Sequence, residues 1–361
     1  MITEQQIIDA LKYVDDPDLK KDLVTLGMVK DVKVDGKKVS FTVVLTTPAC
    51  PMKEMIKKAC LNAITHYVDK DAVVDINMTA NVKPSNQPGS KQQGIPGIKN
   101  IIAIASGKGG VGKSTVASNL AVALAQQGAK VGILDADIYG PSIPMMFDVM
   151  NEKPRMQPQP DGKSKMIPVE SYGVKLLSIG FFSPPSQAII WRGPMASKAM
   201  NQMIFDADWG ELDYLLVDLP PGTGDIHMSL VGAVPLTGAI IVTTPQQVAL
   251  ADARKGAAMF KHDSIKVPLL GIIENMAWFT PAELPNNKYY IFGKGAAQQL
   301  ADEFHVPLLA QIPIVQSICD AGDAGRPVVL QEGQPQSNAF ILAAGRMAQE
   351  LAVRNSKELV S

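Results

Sequence analysis

Cysteines and long apolar runs are both scarce in this chain of 361 residues. Its three cysteines, Cys50, Cys60 and Cys319, are too few and too dispersed for a disulfide framework, which indicates a reducing compartment. No apolar run approaches the roughly 18 residues of a membrane-spanning helix. Residues 1–6 also lack the cationic and apolar segments of a secretory signal. We therefore predict a cytoplasmic protein.

An excess of charge of one sign is also missing. The 34 basic and 35 acidic residues leave a formal net charge of −1, which gives no general attraction for nucleic acid or anionic lipid. We predict no nucleic-acid partner and no stable membrane association. The histidines, at positions 66, 227, 262 and 305, form no pair with metal-ligand spacing and are predicted to be structural.

One motif with specific chemistry is present. Residues 107–114 read GKGGVGKS, which fits the phosphate-loop pattern G-x-x-x-x-G-K-[ST], between an apolar run at 101–105 and a helical pattern at 115–127. Its glycines allow positive φ and inward-facing N–H groups, and the following helix points its positive end at the same place. The predicted nucleotide-binding residues of this loop are Gly107, Lys108, Gly109, Gly110, Val111, Gly112, Lys113, Ser114 and Thr115.

The two lysines of the loop have different predicted roles. Lys113 would reach the β- and γ-phosphates of a nucleotide, while Ser114 would place its hydroxyl on Mg²⁺. Lys108 is additional to the general motif. An ammonium group there would stabilise the charge that develops on the transferred phosphoryl group, as an arginine finger does, and it could act across a dimer.

Carboxylates follow two further apolar runs. Asp135 and Asp137 come after the run 131–134, and Asp218 follows the run 214–217. Because open α/β sheets bind ligands at the carboxyl ends of their strands, we predict that Asp135 and Asp218 serve Mg²⁺ and that Asp137 positions the attacking water. The alternative is that these acids cap helices or lie solvated in loops. The predicted catalytic residues are Lys108, Lys113, Asp137 and Asp218.

Seven strand-like runs, most of them separated by helical stretches, predict an α/β domain with a doubly wound, mostly parallel sheet. The runs are 101–105, 130–134, 175–179, 214–217, 239–243, 269–273 and 307–310. Near the C-terminus, residues 338–353 place four apolar side chains on one helical face, which predicts a docked helix. These side chains are Phe340, Ala344, Met347 and Leu351.

A segment rich in Pro, Gly, Ser and Gln indicates a domain boundary. It covers residues 83–98 and is predicted to be a flexible linker between a small domain at 1–82 and a P-loop domain at 99–361. The small domain is predicted to be an α/β sandwich. Its helices are expected at 4–14 and 53–68, and its strands at 29–34, 39–45 and 72–78.

The phosphate loop resembles that of the MinD, ParA and nitrogenase iron protein class. Together with LDADIYGPS at 134–142, WRGPM at 191–195, VDLPPGTGD at 217–225 and ENMAWF at 274–279, it makes residues 95–350 similar to the Mrp/ApbC family of ATP-dependent iron–sulfur cluster carriers. The resemblance implies a homodimer that sandwiches ATP and Mg²⁺, with slow hydrolysis and with the additional lysine reaching the partner's nucleotide. It also implies apo iron–sulfur clients and a cluster assembly scaffold as partners.

Three polar residues have roles that the sequence leaves open. Asn275 follows the strand-like run 269–273, where its amide could pair with adenine, or it is a turn asparagine. Asp225 ends a loop able to respond to the γ-phosphate, or it caps a helix that begins near Ile226. Arg192 contacts a dimer partner or is a solvated side chain, and we assign it no chemistry.

The N-terminal domain resembles the small domain of iron–sulfur assembly factors in residues 16–19, 23–29 and 46–51. Cys50 lies in the loop before a predicted helix, whose N-terminus can lower the pKa of a thiol and favour the thiolate that iron binds. Cys50 is therefore the candidate cluster ligand, the alternative being a small packed residue. Cys60 and Cys319 are predicted to be core residues on helix faces.

The chain departs from the Mrp/ApbC family in one loop. The family commonly has a Cys-x-x-Cys pair shortly after the Glu-Asn-Met segment, whereas residues 280–287 read TPAELPNN. Glu283 and Asn286 offer only oxygen ligands there, which are unusual for clusters. The chain could hold a [4Fe-4S] cluster through Cys50, act as an ATP-driven scaffold without a cluster, or have another task. The other task would be that of a MinD- or ParA-like positioning ATPase.

Overall fold

The computed structural model describes residues 2–85, 94–160, 162, 164–182, 193–224, 227–228, 231–232, 234–281, 283–284 and 286–358. The chain divides into two compact units. The smaller contains residues 1–83 and 348–361, and the larger contains residues 84–347. The roles left open for Arg192 and Asp225 fall on residues outside the described part of the chain.

The smaller unit is built around a three-stranded sheet of order β3-β4-β5. β4 pairs antiparallel with β3 and parallel with β5, and its residues alternate between buried and less buried positions, so that one face covers an apolar core. The predicted helices and strands of this unit are present, although the first helix ends at Leu11 and not at residue 14, and a short strand pair, β1 with β2, is added. The elements are α1 (Glu4–Leu11), β1 (Asp15–Asp16), β2 (Lys21–Asp22), β3 (Val29–Asp35), β4 (Lys38–Leu45), α2 (Lys53–Tyr67) and β5 (Val73–Ala80).

The larger unit contains an eight-stranded sheet of order β10-β11-β7-β12-β6-β13-β14-β15. All its neighbouring strands run parallel except β10, which pairs antiparallel with β11 at one edge. The seven predicted strands are confirmed within two residues at each end, and β10 was not predicted. The strands are β6 (Ile101–Ala105), β7 (Val131–Asp135), β10 (Val169–Ser171), β11 (Val174–Ser178), β12 (Tyr214–Asp218), β13 (Gly238–Thr243), β14 (Leu269–Glu274) and β15 (Leu308–Gln311), with a separate hairpin of β8 (Arg155–Pro158) and β9 (Ser164–Ile167).

Helices connect these strands, as a parallel sheet requires. Because helices cover both faces of such a sheet, β6, β7 and β12 are buried at every residue and read as continuous apolar runs. The helices with defined bounds are α3 (Lys113–Gln126), α4 (Ile143–Met146), α5 (Gly193–Phe205), α6 (Gln247–Lys261), α7 (Ala296–Phe304), α8 (Gln316–Asp323) and α9 (Pro335–Glu358). Every helix of the described residues is too short or too polar to cross a bilayer.

The strand order decides where the polar residues of the sequence motifs meet. β6 lies between β12 and β13, and β12 pairs on its other side with β7. In this register Asp218 at the end of β12 lies opposite Asp135 at the end of β7. The phosphate loop leaves the neighbouring end of β6, so the motifs converge at the carboxyl edge of the sheet.

The ends of the larger unit differ from the predicted boundaries. Of the predicted linker at 83–98, residues 86–93 lie outside the described part, but Ile95 is buried in the core of the larger unit and Ile98 forms a bridge with Leu212. The predicted apolar face of the last helix is confirmed, since its four residues are buried in α9. From residue 348 onward this helix belongs to the smaller unit, where the Gln349 amide donates to the Asp18 carboxylate.

Candidate functional site

The phosphate loop uses its glycines for two different purposes. Gly110 and Gly112 have φ of 78° and 80°, in the left-handed region that favours glycine. Gly107 has an ordinary φ, but a Cβ atom there would collide with the backbone of α6 at Asp252 and Ala253. The prediction that all four glycines supply positive φ is therefore wrong for Gly107 and Gly109, and Gly107 instead permits a close helix approach.

The N-terminus of α3 faces the loop without a side-chain cap. Gly112 occupies the N-cap position in a left-handed conformation and has no side chain to accept from the first-turn N–H groups. These donors and the positive end of the helix are therefore left for an anion. This arrangement is what a phosphate-binding loop requires.

Lys113 is the central cation of the site. Its side chain is only 6% exposed, and its ammonium nitrogen lies 2.7 Å from Asp218 Oδ1 and 3.5 Å from Asp137 Oδ2. Burial alone would lower the pKa of Lys113, but the charges of Asp218 and Asp137 raise it above its usual range. The ammonium group is therefore charged, and it neutralises carboxylates contributed by two different strand ends.

Ser114 and Asp218 form the candidate metal position. The Ser114 hydroxyl donates to Asp218 Oδ2 at 2.5 Å, and Asp218 itself is completely buried. Burial raises the pKa of Asp218, while the charge and hydrogen bond of Lys113 oppose that rise. A hydroxyl and a carboxylate are hard oxygen donors of the kind that Mg²⁺ prefers, so the donor set fits this ion.

Asp135 has a different environment from Asp137. Its Oδ1 accepts from the Asp137 N–H, and its Oδ2 accepts from the Ile143 N–H and from the Ser178 hydroxyl. Burial and then the charge of Asp218 raise the pKa of Asp135 to about 8. Asp135 thus fixes the turn that carries Asp137 and the start of α4. Ser178, at the end of β11, was missed because a single serine after an apolar run carries no distinctive sequence signal.

The loop after β12 is attached to the phosphate loop. The Gly222 N–H donates to the Ser106 carbonyl at 2.9 Å, and the Ser106 hydroxyl donates to the Lys108 carbonyl at 3.0 Å. Lys108 itself is exposed. Sequence reasoning missed Ser106, which lies one residue before the motif that drew attention to the loop.

Asn275 also contacts the phosphate loop. Its side-chain amide donates to the Val111 carbonyl at 2.9 Å, and a Cβ atom on Gly112 would collide with the same amide. Beside these residues lies a largely apolar pocket of about 310 Å³. Its lining includes Gly112, Thr115, Met145, Met146, Asn275, Met276, Pro313 and Ile318. The pocket continues from the phosphate loop, so it is the candidate position for a nucleotide base.

Comparison with known proteins agrees with this geometry. Residues 97–348 match the family model described as NUBPL iron-transfer P-loop NTPase. The chain belongs to this family. Residues 4–78 separately match the model described as iron–sulfur cluster assembly protein.

Several relatives extend over nearly the whole chain. The chain is 46% identical to the iron-sulfur cluster carrier protein of Synechocystis over 96% of this chain and 97% of that protein. It is 42% identical to the protein of the same name from Escherichia coli, over 93% of this chain and 89% of that protein. Among solved structures, a nucleotide-binding protein from Archaeoglobus fulgidus in complex with ADP is 38% identical, with a TM-score of 0.57, over 68% of this chain and 92% of that chain.

The loop that lacks the Cys-x-x-Cys pair has its own packing in this family member. Phe279 and Tyr289 exchange two backbone hydrogen bonds of 2.8 Å, and the Lys288 ammonium lies 3.8 Å from the centre of the Trp278 ring. Glu283 is exposed. The described residues include no group of three or more His, Cys, Asp or Glu side chains that could hold a metal ion.

Two of the three cysteines, Cys50 and Cys319, do not fit the expectations from the sequence. Cys50 is half-buried, and burial, with the nearby Asp18 and Asp16 charges, raises its pKa to about 11. The expected lowering by the helix N-terminus is therefore wrong, because the desolvation of the thiolate outweighs the opposing effect of the Met52 N–H. Cys60 is buried as predicted.

Cys319 is the second correction. It is exposed on α8, where its thiol faces the Asp323 carboxylate at 3.7 Å, so it is not a core residue. The sequence placed it on a helix correctly but assigned the wrong face. In a helix as short as Gln316–Asp323, a few apolar residues define the buried side poorly.

Proposed function

We propose that this protein is a Mg²⁺-dependent ATP hydrolase that carries iron–sulfur clusters to client proteins. The observation that carries the proposal is the buried group of Lys113, Ser114, Asp137 and Asp218 beside the uncapped N-terminus of α3. This group provides an ammonium for phosphates, oxygen donors for a metal and a carboxylate for water. ADP in the Archaeoglobus fulgidus relative supports a nucleotide at the corresponding site.

ATP binding would change the electrostatic balance of this group. Lys113 now neutralises Asp218 and Asp137, and a triphosphate in the loop would bring further negative charge to the same ammonium group. Ser114 and Asp218 would hold Mg²⁺, which supplies positive charge next to the phosphates. Asn275 and the adjoining apolar pocket would receive the adenine.

Hydrolysis needs a positioned water molecule and charge stabilisation on the transferred group. Asp137 would orient the water, because its carboxylate faces Lys113 and remains 13% exposed. Lys108 is exposed, so its ammonium group would be able to reach the nucleotide of a second subunit. We therefore include a homodimer in the proposal, with slow turnover controlled by subunit association.

The cargo is inferred from the relatives. Proteins named iron-sulfur cluster carrier are similar to this chain over nearly their whole length, and they support the carrier role over a positioning ATPase. In this proposal the cluster is a substrate received from an assembly scaffold and delivered to apo-proteins in the cytoplasm. Nucleotide state would control when delivery occurs.

The carrier function is tested by measuring transfer together with hydrolysis. Purified protein is reconstituted anaerobically with iron and sulfide, freed of excess reagents, and mixed with an apo-ferredoxin in the presence of Mg²⁺ and ATP. We expect ATP hydrolysis and the appearance of ferredoxin absorbance, both absent from the Lys113→Ala variant. Hydrolysis without any cluster uptake or transfer would contradict the carrier role while leaving the ATPase role intact.

A second function is favoured by the cysteine environment. A scaffold that drives assembly with ATP without holding the cluster needs no thiolate ligand, and Cys50 is protonated at neutral pH because burial raises its pKa to about 11. Iron and sulfide analysis of the reconstituted wild type, Cys50→Ser and Cys319→Ser distinguishes the two functions. Cluster that is bound by the wild type and by Cys319→Ser, but not by Cys50→Ser, supports the carrier. A wild type that binds no cluster supports the scaffold.

A further inference from the structure

His227 contacts the loop that follows Asp218. Its side chain is 2% exposed, and its Nδ1 lies 3.0 Å from the carbonyl oxygen of Pro220. The ring also makes an edge contact with Phe260 of α6, with 6.2 Å between ring centres. Sequence analysis assigned this histidine a structural role because no metal-ligand spacing surrounds it.

The geometry fixes the state of the ring. A carbonyl oxygen can only accept, so Nδ1 carries the proton and donates it to Pro220. Nε2 is then an acceptor, and it is buried with no hydrogen-bond partner among the described residues. Burial lowers the pKa of His227, which keeps the ring neutral. An apolar side chain would avoid the cost of this unpaired nitrogen, so packing alone does not account for a histidine here.

Within the described part of the chain, the backbone of the loop from 219 to 224 is held at a small number of points, one of which is the bond from the Met228 N–H to the Gly224 carbonyl. Pro220 and Pro221 have no N–H groups, so two successive residues cannot donate to the phosphate loop or to the sheet. The Leu219 N–H donates to the Ile104 carbonyl, and the Gly222 N–H donates to the Ser106 carbonyl. Between these two points the His227 bond holds the Pro220 carbonyl, two residues from the buried carboxylate of Asp218.

We propose that His227 is a positioning residue of the nucleotide site, whose Nδ1–H bond to Pro220 sets the loop 219–224 against the phosphate loop for hydrolysis. The bond holds the loop through its backbone, so it is required for turnover and not for ATP binding. This inference rests on the proposed ATPase function. The nucleotide-free protein nevertheless offers a test of the bond itself.

The experiment compares two substitutions that differ in one donor. His227→Asn places an amide donor close to the position of Nδ1, whereas His227→Leu fills the space without a donor. We expect His227→Leu to lower kcat about tenfold or more with the Kd of ATP changed less than about threefold, and His227→Asn to retain most of the activity. His262→Leu, on an exposed histidine outside the site, should match the wild type.

Two measurements on the nucleotide-free protein separate this inference from the ATPase proposal. Nitrogen NMR of the His227 ring should show a protonated Nδ1 and an unprotonated Nε2. Hydrogen exchange at the Gly222 amide should be about tenfold faster in His227→Leu and close to wild type in His227→Asn. Wild-type kcat in His227→Leu, equal losses in both variants, or the opposite ring tautomer would each overturn the inference. A wild type with these NMR and exchange properties but no hydrolysis would overturn the ATPase proposal instead.

Discussion

Lys113 is buried and Cys50 is half-buried, and their surroundings have opposite effects on the charged forms of these side chains. Burial would lower the pKa of Lys113, yet Asp218 and Asp137 raise it and keep the ammonium charged. Burial raises the pKa of Cys50 to about 11, and Asp18 and Asp16 push it in the same direction. The candidate nucleotide site thus keeps its ammonium group charged, whereas the raised pKa of the Cys50 thiol disfavours the thiolate that iron binds.

This difference separates the two halves of the proposed function. The residues proposed to bind ATP are assembled within one chain, and only the proposed contribution of Lys108 would come from a second subunit. The residues for a cluster are not assembled within the described part of the chain. In the proposed carrier role, a partner, a second subunit or a rearrangement near Cys50 would supply the thiolate. The following experiments test this contrast.

The largest effect is expected from removing the ammonium of the nucleotide site. Lys113→Ala should weaken ATP binding by roughly a thousandfold, because losing one partner of a buried, hydrogen-bonded charge pair costs a complex about 2–5 kcal/mol. It should also reduce the free energy of unfolding by about 3–5 kcal/mol, because buried carboxylates lose their counter-ion. Fluorescence anisotropy of a labelled ATP and thermal unfolding measure the two effects.

The control for Lys113 is another lysine with a carboxylate partner. Lys99 lies 2.9 Å from Asp213 but is 34% exposed, and Lys99→Ala should leave ATP affinity unchanged and cost about 1 kcal/mol or less. Similar ATP affinity in Lys113→Ala and Lys99→Ala would remove the electrostatic argument for the site.

The second effect concerns turnover without binding. Lys108→Ala should lower kcat by roughly a thousandfold while changing the Kd of ATP less than about threefold, because the exposed ammonium stabilises charge only as the phosphoryl group transfers. Steady-state hydrolysis and calorimetry measure kcat and Kd. Lys255→Ala, an exposed lysine on α6, is the control. A fall in affinity as large as the fall in kcat would show that Lys108 binds the ground state.

The third effect is the reactivity of the Cys50 thiol. A pKa of about 11, against an ordinary value of 9.0, keeps the thiol protonated at pH 8. Its alkylation by iodoacetamide should be about a hundredfold slower there than that of a free thiol, and should rise about tenfold per pH unit until pH approaches the pKa. Peptide mass spectrometry of a Cys319→Ser protein measures the rate. Fast alkylation at pH 7 would show a thiolate and would restore the original expectation for Cys50.

The smallest effect distinguishes two glycines of the phosphate loop. Gly107→Ala forces a Cβ atom against the backbone of α6 and should reduce the free energy of unfolding by about 1–3 kcal/mol. Gly109→Ala meets only Pro221 Cγ at 4.0 Å and should have little effect on stability. Urea unfolding of both variants makes the comparison. Equal free energies of unfolding for Gly107→Ala and Gly109→Ala would show that α6 shifts at no energetic cost.

The sequence predicted most of the fold because its signals are local. The apolar run before Gly107, the glycine pattern and the helix after Gly112 each specify a backbone conformation over a few residues, whereas the order of the strands in the sheet was not predicted. Asp218 and Lys113 were identified for the same reason. The antiparallel strand β10 was not predicted, because its three residues, Val169–Ser171, are too few to show an alternation of apolar and polar side chains.

The environment of single side chains could not be predicted in this way. The pKa of Cys50 depends on how deeply its loop packs and on carboxylates far away along the chain. The approach of α6 to Gly107 and the bond from Asn275 to Val111 join segments separated by more than a hundred residues. These are consequences of tertiary packing, and no spacing within a motif encodes them.

Calorimetric titration of the folded wild-type protein with ATP, in the presence and absence of Mg²⁺, tests the central claim most directly. The account requires one nucleotide bound per chain, with clearly tighter binding when Mg²⁺ is present. A folded protein that releases or absorbs no heat of binding with ATP under either condition would contradict it.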